Sequence, residues 1–395
     1  MRVFINKHFS GFPHHAVLDS EMIRWSQEQV ECDYTFGCAN SPNSLEPLMR
    51  LFGVHIPGLV PPEVRKSFEE CGYHGNVPWS QVIPIRRFKS LFLEFTSKIN
   101  ESLLVIKGSE YPSFFCETNK LFSHLETSYI NTEKCNSFLK DNESHALKSL
   151  LDIAINESLP VPVYDRVSTK TGRLTIKAGP QILTLKKEYR HVFRPSSPSK
   201  KLYEVDFVSL EPRVALCIAG KDVAGDVYTT FSTQSGLGVS RDVAKLAVLC
   251  ALYGAGKYRL ESVLSKDASS VSAASLLSAV KKFFAIGNLS KSLIHEARSG
   301  LICNMFGRPV EVDDSRDTVL VNNFLQSSAT DIAILGFLRF VESLQEHVSP
   351  LFIIHDALVF EADPKHLAPI TEYVDNGFSL KGVGDFPLKI TEFSP

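Results

Sequence analysis

The first thing missing from the 395-residue chain is an excess of charge of either sign. Forty-two basic residues against 44 acidic leave a net charge of −2, which argues against a uniformly basic nucleic-acid coat, though an average hides local fields. No apolar run approaches the eighteen residues a membrane-crossing helix needs, so no membrane partner is expected. The opening "MRVFINKHFSGF" has no signal-peptide apolar block, and the expected location is the cytoplasm. The eight cysteines are scattered without framework spacing, which excludes a disulfide scaffold and points to reduced thiols. Internal repeats and low-complexity tracts are absent as well.

What is present is an ordinary globular composition, 44% hydrophobic and 22% charged, in a chain long enough for two or three domains. Residues 1–85 are broken by Pro and Gly ("SGFPHH", "HIPGLVPPE"), with helix-like pieces at 19–30 and 44–52, and no fold is assigned to them. From 86 to 157, apolar residues at three- and four-residue spacing predict two long helices with an irregular tip. Residues 160–218 alternate turn signals with β-like runs and end in a helix start at "EPRVALCIAG"; 240–300 read as helical. Strand-like "LICNMFGRPVEV", a helix over 318–347 and the β-run "FIIHDALVFEAD" follow.

Two aspartates stand out. Asp356 interrupts that apolar run, and Asp206 ends another in "KLYEVDFVSLEPRV". Carboxylates are seldom buried unless paired or bound to metal. If their strands are neighbours, the two can converge on a hard divalent cation; if not, they are unrelated strand-end residues. In "SRDVAKLAVLCALYG", Arg241, Lys245, Leu249 and Tyr253 recur every four residues and share one helix stripe. Two cations followed by an apolar and an aromatic residue suit a polyphosphate with a planar base, or simply a solvated face with a core stripe. Between Asp165 and Lys201, ten basic residues face only two acidic ones, which is a polyanion-binding stripe or a solvated charged face.

Taken in order, "TGRLT" (171–175), "DFVSLEPR" (206–213), "DVYTTF" (226–231), "RDVAKLAVLCALYG" (241–254), "MFGRPV" (305–310), "NNFLQSSATDIA" (322–333) and "HDALVFE" (355–361) resemble the polymerase region of family A DNA polymerases, the DNA polymerase I type. The resemblance covers roughly residues 130 to 395, and seven motifs in register are far more specific than any one alone. It implies an α+β (mixed α/β) fold, a right-hand polymerase with an antiparallel palm sheet and helical fingers and thumb. The implied organisation is an N-terminal remnant or partner-docking segment (1–85), thumb (86–160), palm (161–220), fingers (221–300) and palm again (301–395).

By that resemblance, Asp206 and Asp356 with the Phe207 carbonyl would hold two Mg²⁺ ions, with Mn²⁺ as a substitute. The reaction would be attack of a primer 3′-OH on a dNTP. Arg241 and Lys245 would grip the triphosphate, Lys245 also donating a proton to pyrophosphate. Tyr228 stands where the family often has histidine. Tyr253 would occupy the template-base position until the helix closes, and Glu211 would be the gate against a 2′-OH. His355, Arg173, Gln326, Asn322 and Arg308 would reach the primer–template end, and the basic stripe would follow the duplex backbone. The partners would be primer–template DNA, dNTPs and a replication accessory protein docked on the N-terminal segment. The source would be a bacterial or phage-infected cell.

Departures from the pattern carry expectations of their own. Leu249 replaces the aromatic that packs on the incoming sugar, Ala357 replaces a glutamate beside the metals, and Val208 and Ser209 replace Ser and Gln. A 3′–5′ exonuclease domain of about 170 residues does not fit before the helical region, and a 5′-nuclease is not expected either. Asp19 and Glu21 in "LDSEM" only faintly resemble an exonuclease D-x-E. His14, His15, Cys32, Cys38, Cys71 and His74 are too irregularly spaced for a zinc site and are expected to be unmetallated. The rivals are a single-subunit RNA polymerase, a reverse transcriptase and a catalytically silent DNA-binding scaffold.

Overall fold

A computed structural model describes every residue except 21, 39–40, 56, 74–76, 142–143, 255–256, 267–270, 355 and 394–395. The chain divides into two compact units, Met1–Ser123 and His124–Pro395. The stretch 86–160 expected as one thumb is therefore split between units, and its two expected helices are four: Ile85–Lys107, Tyr111–Ser123, Thr132–Asp141 and His145–Ile153.

The first unit holds a sheet that the sequence reading left unassigned. Strands β1 (Arg2–Ile5), β2 (His15–Asp19), β3 (Met22–Ser26) and β4 (Tyr34–Phe36) lie in the order β3-β2-β1-β4. β1 pairs antiparallel with β2 and parallel with β4. The helix expected over 19–30 is strand β3 instead. Pairing with β2 in the register Val17↔Arg24 overrides a weak helical spacing. The helix Ile85–Lys107, called α1, buries Phe88, Phe92, Phe95, Ile99, Leu103 and Ile106, one residue per turn along a single stripe. Phe9, Phe12 and Phe36 meet that stripe edge-on or tilted at 4.7–5.4 Å, so the sheet's core is largely aromatic.

The second unit is built on an antiparallel sheet of β5 (Lys201–Phe207), β6 (Ser349–Ile354), β7 (Ala357–Ala362) and β8 (Leu388–Glu392), ordered β6-β7-β5-β8. Side chains alternate along β5. Leu202, Glu204 and Asp206 take one face; Tyr203, Val205 and Phe207 take the other. Leu202 joins a core with Phe193, Phe352 and Val359. On the opposite face Phe207 meets Phe337 at 5.4 Å and Phe360 meets Phe340 at 5.3 Å. Phe337 and Phe340 lie on the helix Asp317–Ser343. By length and composition this helix could cross a membrane, yet 78% of its apolar window is buried within the fold, as expected for a core helix.

Gly336 on this helix marks its closest approach to the sheet, because a Cβ there would stand 2.5 Å from Cζ of Phe207. Gly336→Ala gains about 1 kcal/mol of helix propensity but overpacks a ring with no room to move, at about 1–3 kcal/mol. The expected outcome is a net loss of up to about 2 kcal/mol by denaturant titration. A variant more stable than the parent would contradict the packing.

Candidate active site

The register of the sheet assembles the acidic pair. In β5, Asp206 is directly opposite Ala357 of β7 and directly opposite Lys389 of β8. Asp356 sits in the two-residue hairpin between β6 and β7, one residue before Ala357. Two carboxylates 150 positions apart in sequence thus meet at one end of one sheet. Burial pushes the Asp206 carboxyl up, the charge of Asp356 adds to that rise, and Lys389 pulls against it. His355 lies outside the described residues.

The hairpin is held from outside the sheet. The Tyr164 hydroxyl donates to the Ile353 carbonyl at 2.6 Å and accepts from the Ile353 amide at 2.8 Å. A side chain there plays the part of a neighbouring strand on the edge that carries Asp356. Burial pushes the Tyr164 phenol far above its ordinary range, so it stays a donor.

Glu211 enters through α2 (Leu210–Ile218), whose start is bent by Ser209 in the left-handed region at φ 56°. Arg213 in the same helix is buried and donates to the carbonyls of Val208, Val223 and Gly225. That clamp fixes the approach to Asp226, the N-cap of α3 (Val227–Ser235). The Glu211 carboxyl is raised, chiefly by burial and further by Asp356, while Tyr253 and Arg173 oppose the shift. Burial pushes the Tyr253 phenol far above its ordinary range, the charge of Glu211 adds to that rise, and Arg173 Nη2 stands 3.8 Å from Glu211 Oε1. A cleft of about 380 Å³ joins Arg173, Leu210, Glu211, Gln326, Phe337 and Asp356. Gln326 donates to Asn322, one turn away, at 2.7 Å.

The cationic stripe lies on α4 (Arg241–Tyr253), capped by Ser240. Arg241 is held bidentately by Asp226, with Nε at 3.2 Å and Nη2 at 2.7 Å. Burial pulls the Asp226 carboxyl up, but Arg241 with the Thr229 amide and hydroxyl outweighs it and holds the group at about 2. Arg241 and Lys245 both overlie the ring of buried Tyr228, at 5.5 and 5.9 Å. Burial pushes the Tyr228 phenol up, and the Ser209 side chain pulls against it. Leu249 is half-buried.

Two expectations change. Arg308 is not at a surface: it is fully buried, donates to the Arg166 carbonyl at 2.7 Å, and packs on Gly172, where a Cβ would lie 2.9 Å from its guanidinium carbon. It shapes the loop that presents Arg173 rather than reaching a ligand itself. The basic stripe between 165 and 201 is not one open face either. Arg166, Lys170, Arg190, Arg194, Lys200 and Lys201 pair with Asp331, Asp313, Glu204, Glu157, Glu361 and Glu392. The acids that neutralise the stripe come from elsewhere in the chain, which the local count of charges could not show. Asp226, Tyr164 and Lys389 went unnoticed in the sequence. Asp226 lay inside a quoted motif; the other two give no signal before the strand register is known.

The donor set fits a hard cation. Asp206, Asp356 and the Phe207 carbonyl offer only oxygen, leaving other positions to water and phosphate, as Mg²⁺ prefers. Among the described residues no three His, Cys, Asp or Glu side chains cluster as metal ligands, and none of the eight cysteines forms a disulfide.

The family model for DNA polymerase family A matches residues 138–391. No curated protein matches. Among solved structures, the POL domain of Pol1 from M. smegmatis in complex with DNA primer-template and dNTP is similar, at 16% identity and a TM-score of 0.47, over 88% of this chain and 63% of that one. The chain therefore spans less than two-thirds of that structure's length.

Proposed function

The chain belongs to DNA polymerase family A, and from that premise we propose that it extends a primer 3′-OH with dNTPs as a template strand directs. The observation that carries the reading is the meeting of Asp206 and Asp356 at one sheet end, beside the cleft lined by Glu211, Arg173 and Gln326. The primer 3′ oxygen bonds to the α-phosphorus, the bond to the bridging α–β oxygen breaks, and pyrophosphate leaves. Asp206, Asp356 and the Phe207 carbonyl would hold two Mg²⁺ ions, which when bound supply Lewis-acid activation of the 3′-OH and neutralise triphosphate charge.

The remaining work falls to this chain's side chains. Arg241 and Lys245, one helical turn apart, face the triphosphate, and Lys245 holds the proton that pyrophosphate takes. Arg241 must exchange Asp226 for a phosphate to do so. Tyr253 leaves the Glu211 side of the cleft as the fingers helix closes over a correct base pair. Arg173, Gln326 and Asn322 read the minor-groove edge, where acceptors are common to all pairs. The palm sheet is β5–β8 and the fingers centre on α4. The reading includes no proofreading by the first unit; of the D-x-E there, Asp19 ends strand β2 and Glu21 lies outside the described residues.

Glu211 is the specificity test. Its side chain, only 18% exposed, would meet the sugar C2′ position. Glu211→Ala is expected to narrow the preference for dNTPs over NTPs by about 10- to 200-fold, measured as the ratio of kcat/KM values in primer extension. If the variant rejected NTPs as firmly as the parent, the gate would lie elsewhere. If the parent itself preferred NTPs, an RNA polymerase would be the better reading.

A further inference from the structure

We propose that Lys389 is a built-in counter-cation that competes with the divalent metal for the Asp206 carboxylate, so that the site has weaker intrinsic metal affinity than its two carboxylates alone would give. The proposal rests on the metal-site reading above and deepens it.

Three observations converge on this residue. Lys389 and Asp206 are direct cross-strand partners in the β5–β8 ladder, so their side chains leave the same face of the sheet within contact distance. Lys389 Nζ stands 3.0 Å from Asp206 Oδ2, on an oxygen that a metal would use. On the other flank of Asp206 the direct partner is Ala357, so this side of the ladder contributes no further acid. The charged groups facing Asp206 are then Asp356 from the hairpin, Glu204 from its own strand and Lys389 from β8. Glu204 is already committed to Arg190 at 2.9 Å, which leaves Lys389 as the cation set against Asp206 among the described residues, while Arg173 lines the cleft on the Asp356 side.

The bland alternative is an ordinary surface ion pair. Lys389 is 56% exposed, and such pairs add little to stability. That same exposure suits a competitor: the ammonium can leave for solvent at small cost when a stronger cation arrives. A doubly charged ion outcompetes it, but only after displacing it. Lys389→Gln should therefore tighten metal binding. A unit charge 3 Å away in a water-like dielectric sets the scale at about three- to tenfold.

The test is Mn²⁺ binding to the DNA-free protein, read by the loss of the free-ion EPR signal at low ionic strength, with no turnover involved. The parent, Lys389→Gln, Lys389→Arg and Asp206→Asn are compared, with circular dichroism confirming each fold. The expected result is a Kd lower by about three- to tenfold for Lys389→Gln, a parent-like Kd for Lys389→Arg, and loss of the site in Asp206→Asn. In the Asp206→Asn background, Lys389→Gln should change nothing. An unchanged or raised Kd in Lys389→Gln, with Asp206→Asn still losing the site, overturns the role of Lys389 and leaves the metal site standing. Parent-like binding by Asp206→Asn overturns the metal-site reading itself, and this proposal with it.

Discussion

Asp356→Ala is expected to abolish primer extension, lowering single-turnover rates by on the order of a thousandfold or more, while primer–template affinity changes less than about threefold. The two effects separate because they have different physical sources. Asp356 is exposed and lies between strands rather than in one, so its loss leaves the sheet intact. On the proposed reading, duplex binding would draw on phosphate contacts elsewhere and on Arg173, Gln326 and Asn322. What disappears is half of the carboxylate pair, and with it the local negative field that also raises the Asp206 and Glu211 carboxyls. Both of those groups are then expected to titrate at lower pH in the variant, which carboxyl NMR can follow. Extension retained within tenfold of the parent would remove Asp356 from the chemistry.

Asp331→Ala carries the largest expected loss of stability. Asp331 is fully buried, accepts from Arg166 Nη2 at 2.7 Å, and its other oxygen accepts from Asn304 Nδ2 at 2.7 Å. Asn304 in turn accepts from the amides of Phe306 and Arg308. One carboxylate therefore joins three segments, the loop carrying Arg173, the 304–308 turn and the long core helix. Removing it strips the carboxylate from a guanidinium only 2% exposed, and breaking a buried pair from one side costs about 3–5 kcal/mol. Denaturant titration should show that loss with little change in slope. A cost below about 1 kcal/mol would mean that water reaches the pair and the network is not the clamp described.

Legibility in the sequence followed range of interaction. Asp206 and Asp356 were visible because a carboxylate at the end of an apolar β-run conflicts with its own surroundings, and the conflict is local. The stripe Arg241–Lys245–Leu249–Tyr253 was visible because helical spacing is local too, and its register on α4 holds. Strands β5, β6 and β7 and the helices α2 and Asp317–Ser343 could be placed on the same grounds, whereas β8 could not.

Other features depended on partners remote in the chain. Strands β1 to β4 have three to five residues each and no clean alternation; they are strands because they pair with each other and pack on Phe88, Phe92 and Phe95, more than fifty residues later. Arg308 looks in sequence like any exposed arginine after a glycine, and only the fold turns it inward. The acids that neutralise the 165–201 stripe begin at Glu157 and end at Glu392, so no window of sequence contains them. Lys389 follows the same rule, because which residue of β8 faces Asp206 is a matter of register.

The most direct test of the central claim is single-turnover extension of a labelled primer by the unmodified protein. Four templates differing only in the first unpaired base are each offered one dNTP at a time with Mg²⁺. The account predicts addition of the complementary deoxynucleotide on each template, with the matching NTP used far less well. Protein that binds the primer–template yet adds nothing, with Mg²⁺ or with Mn²⁺, would contradict it.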